Sequence, residues 1–175
     1  MVKNILLSLI INCFVMVSAH ANEVIKLSDY AMKLSIETTA SKPTIWHLWE
    51  DVENWKSYDK RLEYSYLVDG ASFETGAIGY VKGMGAPKSK FVLVKVVKGE
   101  SFTEILKLPL WQTIHLKRYF EKDQNGNTVF SHEVQFKGRM KSIFHWFLAK
   151  PFKKDLKKVM LSMKTLAENT TEKPQ

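Results

Sequence analysis

The sequence predicts an α+β domain in which a mostly antiparallel sheet is covered by one long helix, and two observations carry that prediction. The first is a change of hydrophobic period. From Leu62 to Lys137 apolar residues recur in short alternating runs, whereas from Met140 to Glu168 they recur every three or four residues. The second is punctuation: turn signals at Asp69-Gly70, Gly83 to Pro87, Gly99-Glu100, Pro109 and Asn125-Gly126 cut the first region into runs of strand length. A chain of 175 residues that is 45% hydrophobic and 12% aromatic is long enough for one domain with its own core.

The chain opens on Lys3, an apolar run from Ile5 to Val17, and small residues Ala19 and Ala21 around His20. This is the pattern of a signal peptide over Met1 to Ala21, which would place the mature domain, residues 22–168, outside the cytoplasm, periplasmic or secreted. A membrane anchor is the competing reading, but a run of about 13 residues is shorter than the roughly 20 that cross a bilayer. The single cysteine, Cys13, falls inside this run. The exported domain therefore has no thiol for a disulfide, a nucleophile or a cysteine metal site.

In the domain itself, Met32, Leu34 and Ile36 alternate with Lys33, Ser35 and Glu37, the signature of a first strand with one buried face. Ser41 then caps a short helix that Pro43 opens and that carries Ile45, Trp46, Leu48 and Trp49. A second short helical stretch covers Glu53 to Lys60, so two small helices follow the first strand. Six strand-like runs come next: Leu62 to Val68, Ala77 to Lys82, Lys90 to Lys98, Phe102 to Leu108, Thr113 to Lys122 and Thr128 to Lys137. The terminal stripe of Phe144, Phe147, Leu148, Phe152, Leu156, Val159, Met160, Met163 and Leu166 requires cover. Pro151 lacks a backbone donor, so the segment is expected as two pieces, Ser142 to Lys150 and a longer helix that Pro151 starts. Asn169 to Gln175 is a polar tail expected to fray.

One hairpin can be resolved to its register. A two-residue turn at Asn125-Gly126 would set Phe120 against Ser131 and Leu116 against Gln135, mixing apolar with polar. A three-residue loop, Gln124 to Gly126 with Gly126 left-handed, pairs Phe120 with Phe130, Leu116 with Val134 and Ile114 with Phe136, and sets Lys117 against Glu133. The second register is preferred, and it makes Arg118 and His132 neighbours on the apolar face. A guanidinium there needs an acceptor or water, because burying it unpaired is prohibitive. Two roles are open to Arg118: a structural pair with a carboxylate such as Glu104, or a contact for a ligand's acid group.

The formal charge of +8 directs the chain towards anionic surfaces. No RNA-recognition motif or zinc spacing accompanies it, so nucleic acid is not expected. Lys150, Lys153, Lys154, Lys157 and Lys158 make the outer face of the last helix basic, a surface for an anionic membrane or simply a solubilising one. Within the same segment Phe144, Trp146, Phe147 and Phe152 stand beside Lys150, an arrangement that could also enter a membrane interface. His47, His115, His132 and His145 lack metal-ligand spacing, and no nucleophile-elbow sequence occurs. No metal, cofactor or catalytic set is assigned.

The run from Pro43 to Trp55, PTIWHLWEDVENW, resembles the helix-opening signature of the START-like superfamily, also called SRPBCC, which groups polyketide cyclase and lipid-transport domains. Gly76 and Gly79, the strands around Asn125-Gly126, and the final helix with its Met163-Lys164 ending are similar too. The resemblance implies a helix-grip fold: a curved antiparallel sheet of about seven strands wrapped on the C-terminal helix, with an apolar cavity between them. It also implies binding of a lipid or other hydrophobic small molecule. Parity within that fold nominates Tyr64, Tyr66, Tyr80, Leu116, Arg118, His132 and Val134 from the sheet, with Phe147 and Leu148 from the helix, as ligand contacts. Plain core packing is the competing role for each aromatic residue. The alternative to a carrier is a cyclase or dehydratase on the same scaffold with His132 as general acid or base.

Overall fold

The computed structural model describes residues 23–171, and the change of hydrophobic period becomes a change of architecture between Lys137 and Lys141. The segment Met1 to Ala21 and the residues after Thr171 lie outside the described residues. Eight strands form one antiparallel sheet: β1 (Val24–Ser28), β2 (Ala31–Glu37), β3 (Leu62–Leu67), β4 (Ile78–Gly83), β5 (Ser89–Val97), β6 (Ser101–Lys107), β7 (Thr113–Lys122) and β8 (Thr128–Lys137). Their order is β1-β2-β8-β7-β6-β5-β4-β3, so β2 crosses to pair with β8 while β3 to β8 form a meander. The strand missed by the sequence reading is β1. Four of its five residues are exposed, so no buried face imposes an alternation strong enough to read.

Helix α1 (Lys42–Glu50) and a 3-10 turn (Val52–Ser57) lie between β2 and β3, after the second strand instead of the first. The Ser41 hydroxyl accepts from the Thr44 amide at 3.3 Å, and Pro43 sits in the first turn, where its missing N–H is no loss. The apolar side of α1 sends Ile45, Trp46 and Trp49 into the core. There Trp49 stacks on Phe120 with ring centroids 4.8 Å apart and meets Phe102 edge-on at 5.8 Å.

The β7–β8 hairpin has the preferred register. Phe120 faces Phe130, Leu116 faces Val134, Ile114 faces Phe136 and Arg118 faces His132. Gly126 has φ 81°, a left-handed conformation that glycine adopts without a Cβ penalty, and its amide donates to the Asp123 carbonyl at 3.1 Å. The Asp123 carboxylate accepts from the Asn125 and Asn127 amides at 2.9 and 2.6 Å, which closes the loop.

The terminal segment is a single helix, α2 (Lys141–Thr171), and not two pieces. Pro151 is on the solvent side, as are Phe147 and Lys150, so the carbonyl deprived of a donor is left to water. The helix also runs through Asn169 to Thr171, where the Thr170 hydroxyl donates back to the Leu166 carbonyl at 2.8 Å. Leu156, Met160, Met163 and Ala167 make its buried stripe. At its far end the Glu168 carboxylate receives the Thr39 amide at 2.9 Å and the Thr38 hydroxyl at 3.0 Å, fixing α2 to the end of β2.

Gly79 on β4 has no room for a side chain. A Cβ there would stand 2.2 Å from the Phe91 ring and 2.7 Å from the Tyr66 carbonyl, and Phe91 is itself buried against Trp55 with ring centroids 5.5 Å apart. Gly79→Ala is therefore expected to destabilise the domain by about 1–3 kcal/mol. A lower urea midpoint, followed by tryptophan fluorescence, is the measurement that checks it.

Candidate functional site

Register places three ionisable side chains on the concave face of neighbouring strands. Arg118 on β7 lies between Phe102 of β6 and His132 of β8, and Glu104 is two residues along β6 from Phe102, hence on the same face. All three are buried. The guanidinium lies 5.0 Å from the centre of the Trp55 ring and 5.1 Å from that of Phe102, two π-systems within the range that favours a cation. The expected partner is present: Arg118 Nη2 is 3.5 Å from Glu104 Oε2. That distance exceeds the 2.7–2.9 Å of a strong charge-assisted hydrogen bond. Arg118 Nη1, Glu104 Oε2 and His132 Nε2 are buried without a hydrogen-bond partner.

Burial pushes the Glu104 carboxyl above its usual range, and the nearby Arg118 charge opposes the shift. Burial likewise drives the His132 imidazole well below its ordinary value, and the charges of Arg118 and Arg61 push the same way. His132 is therefore neutral near pH 7. Tyr58 is raised chiefly by burial and donates its hydroxyl to the Leu48 carbonyl at 3.3 Å. At the edge of the site Arg61 binds Asp59 at 2.6 Å and Asp155 at 3.1 Å, joining the start of β3 to α2.

These groups face a cavity of about 470 Å³ between the sheet and α2, a volume in the range of small-molecule sites. Leu116, Arg118, His132 and Leu148 line it, as does Glu104. Val134 shares the inward face but is packed in the core without reaching the cavity. Tyr64, Tyr66 and Tyr80 are on the opposite face of the sheet, where their rings form a ladder with centroid spacings of 6.0 and 5.7 Å, capped by Lys88 over Tyr80. The reason is a register shift between Leu62 and Tyr64. It turns both Leu62 and Ser65 inward, and the Ser65 hydroxyl donates to the Val52 carbonyl at 2.6 Å. Phe147 also points away, with 63% of its surface exposed, and packs on Trp146 with ring centroids 4.4 Å apart. Lining residues not anticipated include Trp55, Tyr58, Leu106 and Ile114. The last two were within reach of parity, since they alternate with Glu104 and Leu116 respectively.

No protein-family model matches the chain, and no curated protein matches it either. Solved structures do. A START superfamily protein from Mycobacterium smegmatis superposes with a TM-score of 0.61 at 11% identity, covering 81% of this chain and 99% of that one. The chain has the START-like fold. A protein from Nitrosomonas europaea gives a TM-score of 0.65 at 9% identity, over 85% of this chain and 100% of that chain. One from Mesorhizobium loti gives 0.62 at 7% identity, over 80% and 98%. Identities this low carry the START-like scaffold and nothing about its contents. What this chain places in its START-like cavity has to be argued from Arg118, Glu104 and His132.

The neutral, buried His132 has a consequence for stability. In the unfolded chain it takes up a proton as pH falls through its ordinary value of 6.5, and in the fold it resists doing so to much lower pH. Below 6.5 the unfolded state therefore binds more protons, and stability falls as pH falls, by up to about 1.4 kcal/mol per pH unit. His115, lowered by burial and Lys137, adds a contribution of the same sign. Melting temperatures measured from about pH 7 to about pH 5 should drop for the parent and drop less for His132→Leu.

Proposed function

We propose that this domain is a binding protein for a hydrophobic small molecule or lipid, held between the sheet and α2 with its polar end on Arg118 and His132. The observation that carries the reading is the trio of unpartnered buried atoms, Arg118 Nη1, Glu104 Oε2 and His132 Nε2, in residues that line a mostly apolar cavity. Leaving such groups unpaired costs about 1–3 kcal/mol each, and a ligand that pairs them recovers it. With Met1 to Ala21 taken as a signal peptide, the binding is assigned to the periplasm or the extracellular medium.

The polar end is a hydroxyl in preference to a carboxylate. Arg118 offers a donor and Glu104 an acceptor, and a hydroxyl answers both at once. A ligand carboxylate would set a second negative charge beside Glu104, at a cost of about 4 kcal/mol for unit charges 4 Å apart near a protein surface, against one shared guanidinium.

The test uses matched probes, 1-decanol and decanoate, with melting temperature as the readout. The parent should be stabilised more by the alcohol. The double variant Glu104→Gln/Arg118→Met, which removes both charges together and so leaves neither buried alone, should lose that preference. Failure of both probes to bind, together with absence of any co-purifying lipid in native mass spectra, would sink the carrier reading. His132 is also the one neutral, buried base facing the cavity interior, which is what favours the enzymatic alternative. His132→Ala that keeps ligand but loses turnover would establish catalysis.

A further inference from the structure

Met84, Ala86, Pro87 and Pro109 are exposed and also line the cavity, which marks its mouth. The residues next to this mouth in the chain and on the helix are large, apolar and in solvent. Trp111 is 94% exposed, Trp146 75% and Phe147 63%, with Leu110, Ile143 and Met84 exposed as well. Scattered exposed hydrophobics are ordinary, but here Leu110 and Trp111 follow Pro109 directly, Ile143, Trp146 and Phe147 precede Leu148, both Pro109 and Leu148 line the cavity, and the Gln112–Met140 bond joins the two segments.

The β6–β7 turn is built to present Trp111. Leu110 and Trp111 have φ of 57° and 54°, a left-handed conformation that costs a residue with a Cβ about 1–2 kcal/mol. Buried Gln112 holds the strained turn: its Nε2 donates to the Leu110 carbonyl at 2.8 Å, and its Oε1 accepts from the Met140 amide at 3.1 Å. The turn is thereby tied to the segment that starts α2. A fold that spends strain on holding a tryptophan in water has a use for the exposed ring.

Charge completes the surface. Along the outer stripe of α2, Ile143, Trp146 and Phe147 are followed at helical spacing by Lys150, Lys153, Lys154, Lys157 and Lys158. Between Arg139 and Lys158 the only acid is Asp155, and Arg61 binds it at 3.1 Å. Two copies joined through this face would bring two lysine stripes together, so self-association is opposed by repulsion. None of the described helices is long and apolar enough to cross a membrane. An apolar, aromatic tip backed by lysines is the composition of a surface that lies in a bilayer interface.

We propose that the rim of the cavity is a docking face for an anionic bilayer. Trp111, Leu110, Trp146 and Phe147 enter the interface, the α2 lysines meet the lipid phosphates, and the mouth opens onto the acyl region. The proposal goes beyond the carrier reading and does not require a ligand in the cavity.

Flotation with phosphatidylcholine vesicles, with and without phosphatidylglycerol, tests it. The parent should bind the phosphatidylglycerol vesicles and retain part of that binding at high salt. Trp111→Ser and the pair Trp146→Ser/Phe147→Ser should each weaken partitioning by about tenfold, and Lys153→Glu/Lys157→Glu should remove the preference for phosphatidylglycerol. All the replaced side chains are exposed, so folding is not at stake. Decanol stabilisation, measured without vesicles on the same variants, should not change; this separates a failure of docking from a failure of the cavity assignment. Absence of binding to phosphatidylglycerol vesicles at low salt overturns the proposal. Binding that the aromatic substitutions leave intact overturns it too, as does a dimer that competes with vesicles for the same face.

Discussion

A positive charge held inside an apolar sheet face is the constraint around which the rest of the structure is arranged. Arg118 cannot leave the concave side, because the register that faces Phe120 with Phe130 and Leu116 with Val134 sends its side chain the same way. The surroundings are correspondingly specific: two aromatic rings centred 5.0 and 5.1 Å away, a carboxylate at 3.5 Å, and a neutral imidazole on the next strand. Removing either charge alone would leave the other buried and unpaired, a loss of about 3–5 kcal/mol, so the pair stands or falls together. Even so, the pair does not satisfy itself: Arg118 Nη1 and Glu104 Oε2 are buried without a hydrogen-bond partner, in residues that line the cavity.

The cavity exists because two layers are kept apart over part of their length. Toward the C-terminal end of α2, Met160, Met163 and Ala167 are buried, and Glu168 fixes the helix to Thr38 and Thr39. Toward the other end Leu148, Phe152 and Val159 are half-buried and line open space. Large aromatic side chains take up the volume near α1, where Trp46, Trp49, Phe73 and Phe102 pack edge to face. The helix is held at both ends, by Glu168 at one and at the other by Tyr30, whose hydroxyl is 3.0 Å from the Ser142 hydroxyl, and by Phe136, edge-on to His145 and Phe152; the open space lies between these anchors and the sheet. Apolar content at the second end is divided between the cavity wall and the solvent-facing rim that we assign to the membrane.

Much of the architecture was legible from residues alone. The β7–β8 register could be worked out because pairing apolar with apolar left one acceptable loop length, and Ser41 with Pro43 marked α1 by its capping chemistry. Three features were not legible. Strand β1 is an exposed edge with no burial pattern, Pro151 is tolerated because its carbonyl partner faces water, and the Tyr64–Tyr66–Tyr80 ladder is on the outside because of a one-residue shift in β3. Alternation tells which tyrosines share a face and is silent about which face that is.

By itself the sequence determined most of the element types, the hairpin register and the adjacency of Arg118 with His132, all of which follow from local periodicity and turn chemistry. Only the tertiary structure decided that Glu104 pairs with that arginine at a loose 3.5 Å, that about 470 Å³ lies beneath α2, and that Trp111 is held outward by a buried glutamine. Those outcomes depend on the separation of layers and on contacts between residues far apart in the chain, for which a linear pattern contains no distance.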